Sequence, residues 1–348
     1  MTSFRRGLDV RQLIGVAGIC AGAIFAARRF LVKPHRAQSD LTGKGVLITG
    51  GSRGFGLALA YDFGSRGARL ALCARDSGEL ERACSALRAK GIEAHPLVAD
   101  ITQSGQLNNL INQAVSVLGS IDVLVNDAGR ITVGPSESFT QQDFEDAMNL
   151  MFWAPVNLTH AVLPHMREKG TGQIINITSV GGRVSIPHLL PYCCAKFAFV
   201  GFSTGLSREL TPEGIRVLTV VPGLMRTGSY LKAEFKGDSK DEFAWFGLLG
   251  NLPGFSVDAG YAAKQVRLAV ENGDGVCTIS LPAKVLVALE GIAPEVNQEV
   301  LSLVNRYLLP QSSSKRSSRG KNLNPALNAL YQGVTALGRL AATRLNEK

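Results

Sequence analysis

Short apolar segments alternate with amphipathic segments over most of the chain. In each apolar segment the hydrophobic residues follow one another closely, as in strands that are buried on both faces. These predicted strands lie at residues 44–49, 69–74, 94–98, 123–126, 174–178, 216–221 and 276–280. Between them, helices are expected at residues 77–90, 105–118, 139–166 and 191–210. Because strands that alternate with helices form parallel sheets covered on both faces, the pattern predicts a single α/β domain with a doubly wound parallel sheet.

The hydrophobic pattern changes at the start of the chain. Residues 13–27 carry no charge and are flanked by basic residues on both sides. A bilayer span takes about 20 apolar residues, so this run is short for a transmembrane helix. We predict that it forms a hydrophobic helix that anchors the protein to a membrane. A helix packed on the domain and a cleaved signal peptide are the alternatives.

A second amphipathic pattern follows the predicted domain. Residues 311–321 are basic and rich in serine, and we expect them to be a flexible linker. Apolar residues then recur every three or four positions from Leu323 to Leu345, which predicts a C-terminal amphipathic helix. The pattern fits equally a helix that lies on a membrane and one that packs on the domain or on a second subunit. The chain thus divides into residues 1–39, a domain at 40–310, and residues 311–348.

Charge narrows the classes of function. The 348 residues are 45% hydrophobic and carry a formal net charge of +9. The excess of basic residues lies before residue 37 and after residue 310, and the middle of the chain is acidic overall. A nucleic-acid enzyme would carry its basic charge on the folded domain. We therefore exclude nucleic acid and expect an anionic membrane surface as a partner.

The six cysteines form no CxxC pair and no cluster with histidine. Neither zinc ligation nor another metal site is predicted, and a reducing compartment is expected. We expect a membrane-associated protein whose domain lies on the cytosolic side, with a soluble cytoplasmic protein as the alternative.

The strongest chemical signal lies between residues 173 and 196. Ser179 stands at the end of a predicted strand, and Tyr192 and Lys196 follow one helical turn apart. A phenol has a pKa of about 10, and a neighbouring ammonium group favours the phenolate and so lowers that pKa. A serine hydroxyl can hydrogen-bond a carbonyl oxygen on which charge develops. These three residues are predicted to be catalytic, with Tyr192 as the acid or base.

A glycine-rich loop, G-G-S-R-G-F-G at residues 50–56, joins the first predicted strand to a helix. Glycines let the backbone approach a phosphate closely, and the N–H groups at the start of the helix face the anion. Ligands of such sheets bind at the carboxyl ends of the strands, where this loop and Ser179 both fall. The sequence therefore predicts a dinucleotide site next to the catalytic residues.

With these motifs, residues 41–228 resemble the short-chain dehydrogenase/reductase family, and the similarity continues more weakly to about residue 310. The resemblance implies a Rossmann-type fold and a nicotinamide cofactor, whose ribose Tyr192 and Lys196 would also contact. The family motifs are matched by Thr49, Gly50, Gly54 and Gly56 in the glycine loop, Asp100 at the adenine, Asn126, Ala128 and Gly129 in the NNAG motif, and Pro222, Gly223 and Thr227 after the sixth strand. Ser52, Phe55 and Ile101 complete the predicted cofactor-binding set.

Two positions depart from the family pattern. Asp127 replaces the second asparagine of NNAG, and Met151 stands where the family has its catalytic asparagine. In relatives that asparagine stabilises a helix distortion whose backbone carbonyl holds a water of the proton relay. Met151 keeps the carbonyl but lacks the amide, so we expect either a slower relay or an impaired enzyme.

Two arginines favour NADP(H) over NAD(H). An acidic residue at the end of the second strand would accept hydrogen bonds from the ribose of NAD, but Arg75 stands there and Arg53 lies in the glycine loop. Guanidinium groups bind phosphate with two parallel hydrogen bonds, so we expect both to meet at the 2′-phosphate of NADP(H). Asp76 is the competing partner for the ribose.

Residues 229–255 correspond to the mobile lid over the substrate pocket in relatives. Their uncharged, aromatic run at 243–255 favours an apolar or lipid-like substrate, and an ordinary packed pair of helices is the alternative. We predict an NADP(H)-dependent oxidoreductase that interconverts a carbonyl compound and an alcohol, and the family implies a homodimer or tetramer. The alternative function is a catalytically impaired nucleotide-binding scaffold that senses redox state.

Overall fold

The structure is a computed structural model that describes residues 41–312, 314–323 and 329–347. In chain order its strands are β1 (Gly45–Thr49), β2 (Arg69–Ala74), β3 (Ala94–Val98), β4 (Val123–Asn126), β5 (Thr132–Val133), β6 (Gly172–Ile177), β7 (Ile215–Pro222), β8 (Leu224–Arg226), β9 (Glu234–Lys236), β10 (Ser256–Asp258), β11 (Val276–Ile279) and β12 (Ser317–Arg319). Its α-helices are α1 (Gly54–Gly64), α2 (Ser77–Arg88), α3 (Ser104–Leu118), α4 (Gln141–Met148), α5 (Ala154–Lys169), α6 (Leu190–Leu210), α7 (Ser229–Lys232), α8 (Ser239–Asn251), α9 (Ala259–Asn272), α10 (Leu281–Ile292), α11 (Pro294–Leu308) and α12 (Ala329–Arg344).

Seven of these strands form the central sheet, in the order β11-β7-β6-β4-β1-β2-β3. Every neighbouring pair in this sheet is parallel. The strand order reverses direction at β1 and β4, and ligands of doubly wound sheets bind at such a switch point. The prediction of an α/β fold with a doubly wound parallel sheet is confirmed.

The sheet is covered on both faces, which explains the continuous apolar runs in its strands. In β1, Val46 and Ile48 pack in one hydrophobic cluster, and Leu47 packs in another. The first cluster includes buried residues of α1 and α9, and the second includes buried residues of α3 and α5. Because successive side chains of a strand point to opposite faces, a strand between two helical layers needs apolar residues at every position.

Two smaller sheets lie outside the central one. β8 pairs with β10 in parallel. β9 lies between β5, to which it is parallel, and β12, to which it is antiparallel. β12 belongs to the segment that we expected to be a flexible linker. That expectation is corrected for this part of the segment, because the backbone of β12 hydrogen-bonds with β9.

The predicted amphipathic helix forms as α12 and packs on the protein's own domain. Ala341, Ala342 and Leu345 are buried at 5% exposure or less. A Cβ at Gly338 would lie 1.6 Å from Oδ1 of Asn251 in α8, so the two helices are in close contact. The sequence left three locations open for this helix, and in the structure it packs on the domain.

The predicted N-terminal hydrophobic helix at residues 13–27 lies outside the described residues. Within the ranges that the structure describes, no helix combines the length and the apolar character that a membrane span needs.

Candidate active site

A tight turn at the end of β6 holds Ser179. Its hydroxyl oxygen accepts a hydrogen bond of 3.0 Å from the N–H of Gly181. A Cβ at Gly181 would lie 3.2 Å from the ring of Tyr192. A Cβ at Gly182 would lie 2.6 Å from the carbonyl oxygen of Lys196. The two glycines therefore let the serine turn pack directly on the helix that carries the other two predicted catalytic residues.

Tyr192 and Lys196 lie one turn apart on α6, next to this turn. Ser179 is within hydrogen-bonding reach of the Tyr192 hydroxyl. The Nζ of Lys196 lies 5.8 Å from the centre of the Tyr192 ring and donates a hydrogen bond of 2.8 Å to the carbonyl oxygen of Ile177. Lys196 is 4% exposed, so its ammonium group is enclosed by protein. The structure thus brings the three predicted catalytic side chains together.

Burial determines the protonation of both side chains on α6. Removal from water raises the pKa of Tyr192, and the hydrogen bond with Ser179 offsets only part of that rise. Removal from water also lowers the pKa of Lys196 to about 8, against the attraction of Asp127. We expected Lys196 to bring the pKa of Tyr192 down. The net change is upward because burial dominates, so the phenol is neutral in this state.

Asp127 is a partly buried carboxyl group beside the glycine loop. Burial raises its pKa to about 7, while attraction to Lys196 and a hydrogen bond from the N–H of Gly56 act in the opposite direction. A Cβ at Gly56 would lie 2.8 Å from Oδ2 of Asp127 and 2.5 Å from the carbonyl oxygen of Gly50, so a side chain has no room there. The departure from the NNAG motif therefore adds a titratable group that is electrostatically coupled to Lys196.

Asn126 and Thr49 connect the carboxyl ends of the central strands. The Nδ2 of Asn126 donates hydrogen bonds of 2.9 Å to Asn176 and 3.2 Å to Thr159. The hydroxyl oxygen of Thr49 accepts a hydrogen bond of 3.2 Å from the N–H of Asp127. The Oδ1 of Asn126 is buried and has no hydrogen-bond partner among the described residues. These bonds hold the loop after β4 against the glycine loop.

The helix on the other side of the site is distorted at Met151. Asn149–Trp153 form a π-helical turn between α4 and α5, in which the N–H of Ala154 bonds to the carbonyl oxygen of Asn149. Met151 is 2% exposed, and a Cβ at Gly129 would lie 3.6 Å from its sulfur. The distortion therefore forms without the asparagine amide that the family pattern has at this position.

The glycine loop turns from β1 into α1 with the features of a phosphate-binding loop. Gly50 has a φ of +72°, and a Cβ there would lie 2.9 Å from the Cα of Ala128. α1 begins at Gly54, and the preceding Arg53 makes no side-chain capping bond. Ser52 and Phe55, also predicted to contact the cofactor, are buried. A glycine-rich loop that leads into a helix N-terminus without a side-chain cap fits the diphosphate of a dinucleotide.

The last described residues lie across this loop. The N–H of Gly54 donates a hydrogen bond of 2.9 Å to the carbonyl oxygen of Leu345. Asn346 donates a hydrogen bond of 2.9 Å to the carbonyl oxygen of Ser52, which is 294 positions away. The side chain of Glu347 is buried against Gly54. We did not predict this contact from the sequence, because the apolar stripe indicates a helix but not the surface that the residues after it reach.

On the adenosine side of the site, each predicted arginine has an acidic partner. Arg53 Nη1 lies 2.6 Å from Oε2 of Glu79, and Arg75 Nη1 lies 3.8 Å from Oδ2 of Asp100. Asp76 caps α2 by accepting a hydrogen bond of 2.8 Å from the N–H of Glu79. We expected the two guanidinium groups to meet at one phosphate position. In this structure they turn to different carboxylates instead.

The loop after β3 carries Asp100 and Ile101. The Oδ1 of Asp100 accepts hydrogen bonds of 3.0 and 2.7 Å from the N–H and the hydroxyl of Thr102. Ile101 is 7% exposed and packs with residues of α3. Both lie at the carboxyl edge of the sheet, where the sequence placed the adenine-binding part of the site.

The end of β7 leads into the predicted lid. β7 ends at Pro222, and a Cβ at Gly223 would lie 2.6 Å from the hydroxyl oxygen of Ser280. The hydroxyl oxygen of Thr227 accepts a hydrogen bond of 3.2 Å from the N–H of Ser229, which begins α7. Thr227 is 4% exposed, so this residue, predicted to contact the nicotinamide, is covered by protein.

The predicted lid consists of α7, β9 and α8 and packs around an aromatic cluster. The ring of Phe235 lies 5.4 Å from that of Phe243 and 5.9 Å from that of Phe246. This cluster also contains Leu189 and Cys193 from the start of the catalytic helix. The segment is therefore a packed aromatic layer beside Tyr192.

A buried polar group that we did not predict joins this layer to the catalytic helix. His188, four positions before Tyr192, has its Nδ1 2.7 Å from Oε1 of Glu242 in α8. Trp245 donates a hydrogen bond of 2.6 Å to Oε2 of the same carboxylate. The side chains of His188 and Glu242 are 4% and 0% exposed. The pair is 54 positions apart, and neither residue stands in a motif that would have revealed it.

Comparison with known proteins agrees with this geometry. The family model described as short chain dehydrogenase matches residues 44–235. The ketoacyl reductase HetN of Nostoc is 32% identical over 186 residues, which are 53% of this chain and 65% of that protein. The chain thus spans just under two thirds of the length of that relative. Human 17-beta-hydroxysteroid dehydrogenase 13 is 34% identical over 217 residues, or 59% of this chain and 70% of that protein.

A solved structure has the same architecture. The crystal structure of L-sorbose reductase from Gluconobacter frateurii, complexed with NADPH and L-sorbose, matches with a TM-score of 0.62 and 25% identity. The match covers 70% of this chain and 97% of that one. With the family match over more than half of its residues, the chain belongs to the short-chain dehydrogenase family.

Proposed function

We propose that this protein is an NADP(H)-dependent oxidoreductase that interconverts a carbonyl compound and an alcohol. The observation that carries the proposal is the convergence of Ser179, Tyr192 and Lys196 beside a phosphate-binding type of glycine loop. Arg130, Thr132 and Met151 line a small pocket that also reaches Tyr192.

The roles of the three residues follow from their surroundings. A bound nicotinamide would supply or accept the hydride. The Ser179 hydroxyl can donate a hydrogen bond to the substrate oxygen, where negative charge grows during reduction. Tyr192, kept neutral by burial, can give its phenolic proton to the same oxygen. The ammonium group of Lys196 then stabilises the phenolate that remains, because an opposite charge nearby favours the ionised form.

The preference for NADP(H) rests on Arg53 and Arg75. Arg53 Nη1 is bound to Glu79, and Arg75 is 65% exposed with a long contact of 3.8 Å to Asp100. Both side chains are therefore near the ribose end of the site and can exchange a carboxylate for a phosphate without leaving a buried charge unpaired. One structural relative is described as an NADPH complex, which supports the same choice.

An apolar substrate is supported by the aromatic layer formed by α7, β9 and α8. Its rings pack next to Tyr192, and the polar group at its centre, Glu242, is fully satisfied by His188 and Trp245. Two relatives are named for ketoacyl and hydroxysteroid substrates, whereas the structural relative is named for the sugar L-sorbose, so the proposal of an apolar substrate rests on the aromatic layer. We infer a ketone or secondary alcohol on an apolar skeleton.

The catalytic role is tested by the variant Tyr192→Phe, which keeps the ring but removes the proton donor. Single-turnover hydride transfer from NADPH to an accepted ketone should fall by about 10²-fold or more, while NADPH binding stays nearly unchanged. Tyr261→Phe is the matched control, because Tyr261 is 53% exposed and outside the site. An unchanged rate in Tyr192→Phe would end the catalytic proposal and leave the nucleotide-binding scaffold as the better reading.

The cofactor choice is tested separately with the double variant Arg53→Ala/Arg75→Ala. Loss of charge-assisted hydrogen bonds costs about 1.5–3 kcal/mol each, so the ratio of NADPH to NADH affinity should collapse. Arg88→Ala is the control, since Arg88 pairs with Glu81 away from the loop. Equal affinity of the unmodified protein for the two cofactors would contradict the preference.

Membrane association and self-association belong to the same proposal. The first rests on the apolar, basic-flanked residues 13–27, and deletion of residues 1–36 should move the protein from the membrane fraction to the soluble fraction. The second is supported by Trp153 and Phe197, which are 50% and 43% exposed on the helices that flank the site. Light scattering of the purified protein would detect a dimer or tetramer, and a monomeric mass would exclude both.

A further inference from the structure

Three residues after α12, Leu345–Glu347, form what we call the tail, and they contact the glycine loop through backbone and side chains. The carbonyl oxygen of Leu345 accepts a hydrogen bond from the N–H of Gly54, the first residue of α1. Asn346 donates hydrogen bonds to the carbonyl oxygens of Ser52, at 2.9 Å, and of Glu79, at 2.8 Å. The tail therefore forms hydrogen bonds both with the glycine loop and with the N-terminus of α1.

The side chain of Glu347 fills the space above Gly54. A Cβ at Gly54 would lie 2.6 Å from Oε1 of Glu347, and the carboxylate is 4% exposed. Oε2 lies 3.9 Å from Nε of Arg53. The charges that act on Glu347 are the cations of Arg53 and Lys232 and the carboxylates of Glu79 and Asp127. A carboxyl group thus stands over the glycine loop at the N-terminus of α1.

Contacts of α12 and of Asn346 with the domain hold the tail in this position. A Cβ at Gly228, which has a φ of +93°, would lie 2.5 Å from the Cβ of Ala342. Arg344 Nη2 lies 2.8 Å from Oδ2 of Asp258. Asn346 has a φ of +57°, and the N–H of Glu347 bonds back to the carbonyl oxygen of Ala342. This left-handed residue reverses the chain after α12 and directs Glu347 into the loop.

A dinucleotide diphosphate and the tail need the same donors and the same space. The diphosphate must approach the backbone at Gly54 and use the N–H groups that begin α1, one of which is bound to Leu345. We propose that the tail is an intramolecular ligand of the cofactor site, and that NADP(H) must displace it before the enzyme can work. This inference rests on the proposed function of the site.

Competition of this kind lowers the apparent affinity for cofactor without changing the contacts that the cofactor makes. The apparent dissociation constant rises by the inverse of the fraction of molecules whose tail is undocked. Couplings between sites are typically 5- to 150-fold, so we expect removal of the tail to tighten NADPH and NADH binding by about tenfold or more. Both cofactors should gain, because they share the diphosphate.

The test compares equilibrium binding of NADPH and NADH to the full chain and to a chain that ends at Arg344. The variants Asn346→Ala and Glu347→Ala keep the full length and should tighten binding by smaller factors. Leu340→Ala is the matched control, since Leu340 lies on α12 but is 69% exposed, and it should bind like the unmodified protein. A synthetic peptide of residues 335–347 should compete with NADPH for the shortened chain.

Each alternative result overturns the proposal in a recognisable way. Equal affinities in the full and the shortened chain, or a peptide that does not compete, would mean that the tail does not exclude the cofactor. Weaker binding after shortening would mean that the tail is part of the cofactor site. If the shortened chain does not fold, unchanged affinity in both point variants overturns the proposal. Absence of dinucleotide binding in every form would overturn the proposed function, and the competition with it, whereas the other results leave that function intact.

Discussion

The replacement Asp127→Asn tests the electrostatics of the site without any ligand. Asp127 is partly buried beside Lys196, and its removal from water raises its pKa from 3.8 to about 7. A carboxyl group with a raised pKa holds its proton more tightly in the folded protein than in the unfolded chain. The unfolding free energy therefore falls as the pH rises from about 4 to about 7 and stays low above that range. Asparagine does not titrate, so the variant lacks this loss.

The size of the effect follows from the shift. A difference of about three pKa units corresponds to roughly 4 kcal/mol of stability that the carboxyl loses by pH 8. This shift is a net value that already contains the attraction of Lys196. We expect Asp127→Asn to be about as stable as the unmodified protein at pH 4.5 and more stable at pH 8 by up to about 3 kcal/mol.

Denaturant unfolding at pH values from 4.5 to 8, without added dinucleotide, measures this difference. Asp122→Asn is the control of opposite sign. Burial alone would raise the pKa of Asp122, but its hydrogen bonds with Lys169 and with the N–H of Gly45 hold that pKa below its usual value. Its replacement should cost stability, and more at pH 8 than at low pH. A stability difference for Asp127→Asn that does not change with pH, or that favours the aspartate at pH 8, would refute the reasoning.

Three further results are expected. Met151→Asn should lower the unfolding free energy by about 1–3 kcal/mol, because Met151 is 2% exposed and an amide there would be buried. It should not raise turnover, because the π-helical turn already forms without the amide, and a faster enzyme would contradict this. Glu242→Ala leaves His188 and Trp245 without their buried partner and should lower the unfolding free energy by about 2–4 kcal/mol. Glu145→Ala, on the exposed side of α4, should change the unfolding free energy little. Burial raises the pKa of Glu347 to about 7, so the docked tail favours the protonated carboxyl and undocks as the pH rises. NADPH affinity of the full chain, relative to a chain that ends at Arg344, should improve up to about tenfold between pH 6 and 8.

The central sheet and the meeting of Ser179, Tyr192 and Lys196 could be predicted because their signals are local. Continuous apolar runs mark strands buried on both faces, and Ser179, Tyr192 and Lys196 lie within one strand, turn and helix. The glycine loop was recognisable for the same reason. Each of these features depends on residues that are close in the sequence, and their order along the chain determines where they meet in the fold.

Other parts depend on contacts that no local pattern encodes. The pKa of Tyr192 rises because of the protein that surrounds it, whereas the i to i+4 spacing to Lys196 suggested the opposite direction. Arg53 of the glycine loop and Arg75, which follows β2, pair with carboxylates about 25 positions away in the sequence. β12 was read as a flexible linker because its serines lack an apolar pattern, but pairing with β9 requires only backbone groups.

The pairing of β9 on both edges has a consequence for the movement of the lid. Thr132 and Val133 bond to one edge, and Ser317–Arg319 bond to the other, so β9 cannot swing outward as a free flap. Phe235 at its centre is fully buried, which adds the loss of aromatic packing to the cost of opening. The amide hydrogens of this short strand should therefore exchange with solvent slowly, at rates closer to those of the central sheet than to those of a surface loop.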